Sequence, residues 1–287
     1  MSKPTERQLR RQAMGAAPGE ELSPKAAEAM AEFVIAEETK TEEMVPATRG
    51  GPESIWQWAP LLLGLPVKYD TRALSRRPCV MWTAVILIAA VTIMLLVTRS
   101  MGNAINGWGF VPDEWFRMGG LTLLTSFVLH EGLVHWLSNT YFLVVFGGNV
   151  EDALGRIKFA LLLLGSHLAG VMLHGLLDLR SDVPVVGASA GIFGMLACYA
   201  VMFPHAKVGL FRWWWGPMRV SAWLVVLMYL AMQLVGAYMQ ANGFGTVSNL
   251  GHLGGAAVGL AAGIAWRVNR REEAPGQAGA VEVEQER

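Results

Sequence analysis

The sequence predicts an all-α membrane protein, a bundle of six membrane-spanning helices behind a soluble N-terminal extension. Three observations carry that expectation. Of 287 residues, 53% are hydrophobic and 16% are charged, whereas a soluble domain carries about 25% charged residues. Six apolar segments follow one another from Val80 onward. Basic residues gather at alternate ends of those segments, as the positive-inside rule requires of a multi-pass chain. The formal net charge is zero, which gives no electrostatic argument for a nucleic-acid partner.

Residues 1–78 form a polar lead, expected to be cytoplasmic and partly disordered. Within it, Ala27, Met30, Phe33 and Val34 make one stripe of a helical patch over Pro24–Glu38. No apolar stretch of secretory-signal type occurs in residues 1–50. The run Trp56–Val67 is apolar but short, and Pro60 and Pro66 interrupt it. A span needs about 20 residues, so this run is read as interfacial. Lys68, Arg72, Arg76 and Arg77 then form a basic collar. Cys79 and Cys198 both fall at or inside apolar segments and make no disulfide framework.

The six segments are placed at Val80–Thr98, Val134–Asn149, Ile157–Leu177, Val186–Phe203, Val220–Met239 and Leu250–Trp266, within a membrane domain of residues 79–271. The second and fourth are too short or too polar to face lipid and are expected to be surrounded by the others. With the N-terminus inside, Lys68, Arg72, Arg76, Arg77, Arg156, Lys158, Lys207, Arg212, Arg219, Arg267, Arg270 and Arg271 are internal. Only Arg99, Arg117 and Arg180 are external, so twelve against three fixes the expected orientation. Both termini are then cytoplasmic, and residues 272–287 read as a short, acidic, disordered tail.

In this topology segments two, four and six run in the same direction, so their first turns share one depth. Those turns carry His135 and Asn139, Ser189, and His252. Polar groups inside a span are costly and usually functional. Small residues surround Ser189 in Gly187-Ala188-Ser189-Ala190-Gly191, and helix-start N–H groups there can cradle a developing negative charge. Taken alone, that stretch is equally a close-packed start of a membrane helix.

Each further candidate has a plain alternative. His130-Glu131 followed by His135 suggests a zinc site, but such a motif needs histidines four apart. A spacing of five puts them about 140° apart around a helix, and no metal or other cofactor is expected. His135 and Asn139 are four apart, share a face and can donate to one point, or can simply pack helices. His130 lies in the preceding loop, in a structural or hydrating position. His205 and His167 do not match the depth of Ser189, and His174 competes weakly. His252 is the best-placed base. Gly251, Gly255, Gly259 and Gly263 form a stripe that permits close helix approach. Docked on the small surface of Gly187, Ala190, Gly191 and Gly194, that stripe would bring Ser189 within reach of His252. Phe193, one turn below Ser189, could stack on the imidazole or serve only as core. No acidic residue at this depth offers a third member of a triad.

Several ordered motifs together resemble the rhomboid family of intramembrane serine proteases. They are Thr125-Ser126-Phe127-x-x-His130, His130-x4-His135-x3-Asn139, Phe146-Gly147-Gly148-Asn149-Val150-Glu151-x-x-Leu154-Gly155, Gly187-Ala188-Ser189 and Gly251-His252-Leu253-Gly254-Gly255, across Trp115–Gly263. The resemblance implies a six-helix bundle with an outward-opening, water-filled site. By position it makes Ser189 the nucleophile and His252 the general base. His135, Asn139 and the Ser189 N–H become the oxyanion site, His130 organises the hydrated outer region, and Glu151 with Arg117 is structural. Segment five and the loop Ala241–Asn249 become a lateral gate. Two departures are Ala190, where the family often has glycine, and Phe193, where tyrosine is common.

The expected activity is hydrolysis of peptide bonds in or near transmembrane segments of membrane proteins, through an acyl-enzyme, with cleavage near the outer surface at a small residue. Because a helix buries its carbonyls in i→i−4 bonds, residues that let it unwind locally favour cleavage. The lipid bilayer and transmembrane substrates are the expected partners, and a bacterial cytoplasmic membrane the expected location. The alternative is a catalytically inactive relative that binds and sorts membrane helices. A small-molecule transporter would show repeats or broken helices in matching halves, which the sequence lacks.

Overall fold

The computed structural model describes residues 60–62, 65–68, 74–178, 182–212, 216–244 and 247–285. The patch expected over Pro24–Glu38 lies outside the described residues, as do Trp56, Arg72 and Arg180. Contacts divide the chain into two units, Gly50–Trp266 and Met1–Arg49 with Arg267–Arg287.

Among the described residues the α-helices are α1 (Cys79–Val97), α2 (Met101–Trp108), α3 (Thr122–Val128), α4 (Leu133–Leu154), α5 (Arg156–Leu177), α6 (Ser189–Met202), α7 (Ala222–Ala241) and α8 (Asn249–Gln285). Each of the six apolar segments lies mostly on a helix, and α2 and α3 are additions between the first two. Among the described residues α1, α5 and α7 are long and apolar enough to cross a membrane. In α1 the buried residues Met81, Val85, Ile88, Thr92 and Leu95 form one stripe. Ile86, Leu87, Ile93, Met94 and Val97 are exposed, as lipid-facing residues would be. The helix α6 is different. Its 14 residues rise only about 21 Å, and it is buried on nearly every side, from Ile192 through Met195 and Ala197 to Tyr199. Such a helix stays dry because its neighbours surround it.

Glycines set the spacing around α6. A Cβ at Gly191 would stand 2.7 Å from the Leu163 carbonyl of α5. On the other side, a Cβ at Gly255 or Gly259 would collide with the backbone carbonyl of Ala190 or Gly194. The helices α5, α6 and α8 thus touch main chain to main chain.

The start of α1 is capped from far away in sequence. Glu151, 2% exposed, accepts the Val80 and Met81 N–H groups at 3.0 and 2.7 Å. Asp152 accepts the Ser75 and Arg76 N–H groups at 3.1 and 2.8 Å. The Glu151 bonds satisfy donors that a helix start leaves unpaired, and the Asp152 bonds hold the segment leading into it. Glu151→Ala is expected to destabilise the fold by about 2–4 kcal/mol, because buried donors lose their acceptor; a lowered melting midpoint in detergent is the check.

The purely helical expectation needs a correction. Strands β1 (Val67–Lys68), β2 (Lys207–Arg212) and β3 (Gly216–Ser221) form an antiparallel sheet in the order β1-β2-β3. Its register pairs Val67 with Gly209 and Gly209 with Arg219. Short alternating strands between two long apolar segments were hidden by their neighbours; Val220, read as membrane helix, belongs to β3. The sheet also draws in part of the run read as interfacial, since Leu61 and Val67 are buried and Tyr141 donates to the Pro66 carbonyl at 2.9 Å. A second difference lies in the tail after Arg271, expected to be disordered but helical through Gln285. Its Glu, Gln and Ala residues are good helix formers, against which Pro275 and Gly276 count.

Candidate active site

The turn that leads into α6 is held by the segment between α1 and α4. Phe110 and Val185 exchange two backbone hydrogen bonds of 3.1 and 2.7 Å, and the Gly187 N–H donates to the Ser126 carbonyl at 2.8 Å. Gly187 has φ +119°, and a Cβ there would lie 2.7 Å from the His135 ring. Glycine is therefore required twice, for a left-handed backbone and for close approach. Two residues later the chain becomes helical at Ser189.

The stripe on α8 brings His252 to that serine. Its Nε2 lies 2.8 Å from Ser189 Oγ. Phe193 stacks on the imidazole at a centroid distance of 4.3 Å and an interplanar angle of 12°, fixing the plane of the ring. On the far side of the ring Nδ1 meets Gln233 Oε1 of α7 at 2.7 Å. This third partner is absent from the reading of the sequence, which searched for a carboxylate on segments two, four and six.

His135 and Asn139 line the same cleft of about 760 Å³ as Ser189 and His252. His135 lies over Gly187, two residues from the serine. Asn139 donates one amide hydrogen to the His135 carbonyl at 2.9 Å, which orients the side chain and leaves it a second N–H. Farther in, Phe142, Ile192, Leu196 and Tyr229 supply an apolar wall.

His130, expected in a structural or hydrating position, is packed into the protein beside His135. It is fully buried, its Nδ1 donates to the Val128 carbonyl at 3.3 Å, and its ring sits against that of His135 at 4.9 Å. Burial, with the adjacent His135, pushes its pKa down to about 4. The unfolded chain takes up this proton near pH 6.5 and the folded chain only near pH 4, so stability is lost as pH falls through that window. A melt at about pH 7 and at about pH 4.5 should show the loss, and His130→Asn should reduce it.

The other histidines are engaged elsewhere. His174 Nδ1 meets Ser248 Oγ at 2.8 Å and Gln240 Nε2 at 3.0 Å, so it does not serve Ser189. His167 Nε2 lies 3.1 Å from Ser126 Oγ and 3.0 Å from the Leu123 carbonyl, fastening α3 to α5. Arg117 pairs with Glu114 at 3.4 Å and binds the Asn106 carbonyl, whereas Glu151 caps α1. Among the described residues no group of three or more His, Cys, Asp or Glu side chains could hold a metal ion.

A hydroxyl, an imidazole and an orienting amide in hydrogen-bonded series are the parts of an activated nucleophile. Gln233 could have been found from sequence: Gln233 and Gln240 are seven apart in an otherwise apolar helix, hence on one face.

Residues 112–268 match the Rhomboid domain. The chain is 29% identical over 157 residues to Rhomboid protein 1, mitochondrial, of Saccharomyces cerevisiae, covering 53% of this chain and 43% of that one. It is 26% identical over 156 residues to Rhomboid-type serine protease 2 of Emericella nidulans, covering 53% and 27%. Against RHOMBOID-like protein 6, mitochondrial, of Arabidopsis thaliana it is 27% identical over 142 residues, covering 50% and 42%. The chain thus spans less than half the length of each of these relatives.

Proposed function

Because this chain belongs to the rhomboid family of membrane proteins, we propose that it is an intramembrane serine endopeptidase. It is a six-helix bundle in the membrane, its spans being α1 and α4 through α8, and it cuts transmembrane segments of other proteins. Ser189 is the nucleophile and His252 the general base. The observation that carries this reading is their 2.8 Å contact between two helices joined along glycines.

In the first step Ser189 Oγ attacks a substrate carbonyl carbon while its proton passes to His252 Nε2. His135, the second amide hydrogen of Asn139 and the Ser189 N–H stabilise the oxyanion. The protonated imidazole then delivers its proton to the leaving amine, and water hydrolyses the acyl-enzyme by the same route. The distribution of basic residues supports placing both ends of the domain on one side of the bilayer. Two of the relatives are mitochondrial by name, and none of the three supports the assignment to a bacterial cytoplasmic membrane made from sequence.

The test is reconstitution of the purified chain in liposomes with a panel of tagged single-span proteins. Cleavage within or beside a span, mapped by the new N-terminus, is the expected result. Stoichiometric binding of the spans without any cleavage would replace this reading with that of a helix-binding relative.

A further inference from the structure

Most of the surface of α7 is apolar, with Leu227, Leu234, Val235 and Tyr238 exposed. Its glutamines turn the other way. Gln240 is fully buried, binds Asp178 and His174, and accepts the Leu250 N–H at 3.0 Å. Gln233, two turns earlier and about 20° around the helix, reaches His252.

A neutral imidazole carries one ring proton. Were it on Nε2, a donor would face Ser189 and no lone pair could take the hydroxyl proton. Phe193 fixes the plane of the ring but not its tautomer. The 2.7 Å contact with Gln233 Oε1, an atom that only accepts, places the proton on Nδ1 and turns the Nε2 lone pair to Ser189.

We infer that Gln233 is the positioning residue of the dyad, holding His252 in the tautomer that can act as base, and that this hold lasts only while α7 is seated on α8. The inference rests on the protease reading above. During attack the hydroxyl proton moves to Nε2, Oγ bonds to the carbonyl carbon, and the Nδ1 proton stays with Gln233. The bond to Gln233 becomes charge-assisted at that moment and strengthens. An amide does this without placing a charge among apolar groups, where an ionised carboxylate is costly.

Gln233→Leu should keep α7 apolar and folded yet lower kcat by about tenfold or more, with KM little changed. Gln233→Glu, which retains an oxygen acceptor, should recover most of that loss. Two further readouts bypass substrate entry. The rate at which a small fluorophosphonate labels Ser189 should fall by the same factor as kcat. In 15N spectra of histidine-labelled protein, His252 should carry its proton on Nδ1 in the parent and become a tautomer mixture in Gln233→Leu. Unchanged labelling and an unchanged tautomer in Gln233→Leu would overturn the inference, as would an Nε2-protonated parent. Cleavage that survives Ser189→Ala would instead overturn the protease reading, while the spectra still decide the tautomer.

Discussion

Ser189→Ala is expected to abolish cleavage of a reporter span, and His252→Ala to reduce it at least about a thousandfold. The double variant should be no worse than the serine variant. The reason lies in the 2.8 Å contact: a serine hydroxyl is a poor nucleophile unless a base removes its proton during attack, so the two groups act as a unit. Single-turnover cleavage in liposomes, with helical content checked by circular dichroism, measures both. Additive losses would mean that the two side chains do not share a step.

The second large effect is expected at Gly255. A methyl group there would collide with the Ala190 carbonyl, and neither partner is a side chain that can rotate away. Gly255→Ala must therefore push α8 from α6, overpacking that costs about 1–3 kcal/mol. It also moves His252 relative to Ser189, and a displacement near 1 Å can cost about a hundredfold in rate. Both a lower melting midpoint and a loss of activity are expected. At Gly263 the nearest obstacle to a methyl group, the Val201 Cβ at 2.8 Å, stands farther off than the Ala190 carbonyl does at Gly255, so Gly263→Ala should be milder. Equal effects at the two positions would argue that main-chain contact does not set the site.

Ser189, His252 and Phe193 could be read from sequence because a membrane span imposes depth. Alternating helix direction puts three first turns at one level, and glycines four apart name the face that docks. Gln233 escaped that logic. It sits on α7, which runs opposite to α8, so no first turn marks its level, and in a helix apolar nearly all round only the seven-residue spacing to Gln240 marks its face. The sheet escaped because Lys207-Val208-Gly209-Leu210 alternates over too few residues to stand out beside long apolar runs. For His130 the sequence left a structural and a hydrating role open, because nothing in a loop's composition says that it folds back against His135.

The anchoring of α7 makes it a lever. At one end the Ala222 N–H binds the Ala206 carbonyl at 2.8 Å and the helix continues directly from β3; toward the other end Gln233 and Gln240 bond to neighbouring elements and Gly236 lies against Asn249. Its 20 residues span about 30 Å. A swing of about 10° about the anchored end would carry the far end about 5 Å and Gln233 about 3 Å, beyond hydrogen-bond reach of His252. A spin-label distance between Met239 and Leu137 would follow that swing. For the protease proposed above, admission of a guest helix and arming of the base would then be successive events, and a guest that does not unwind before the lever returns would leave uncut.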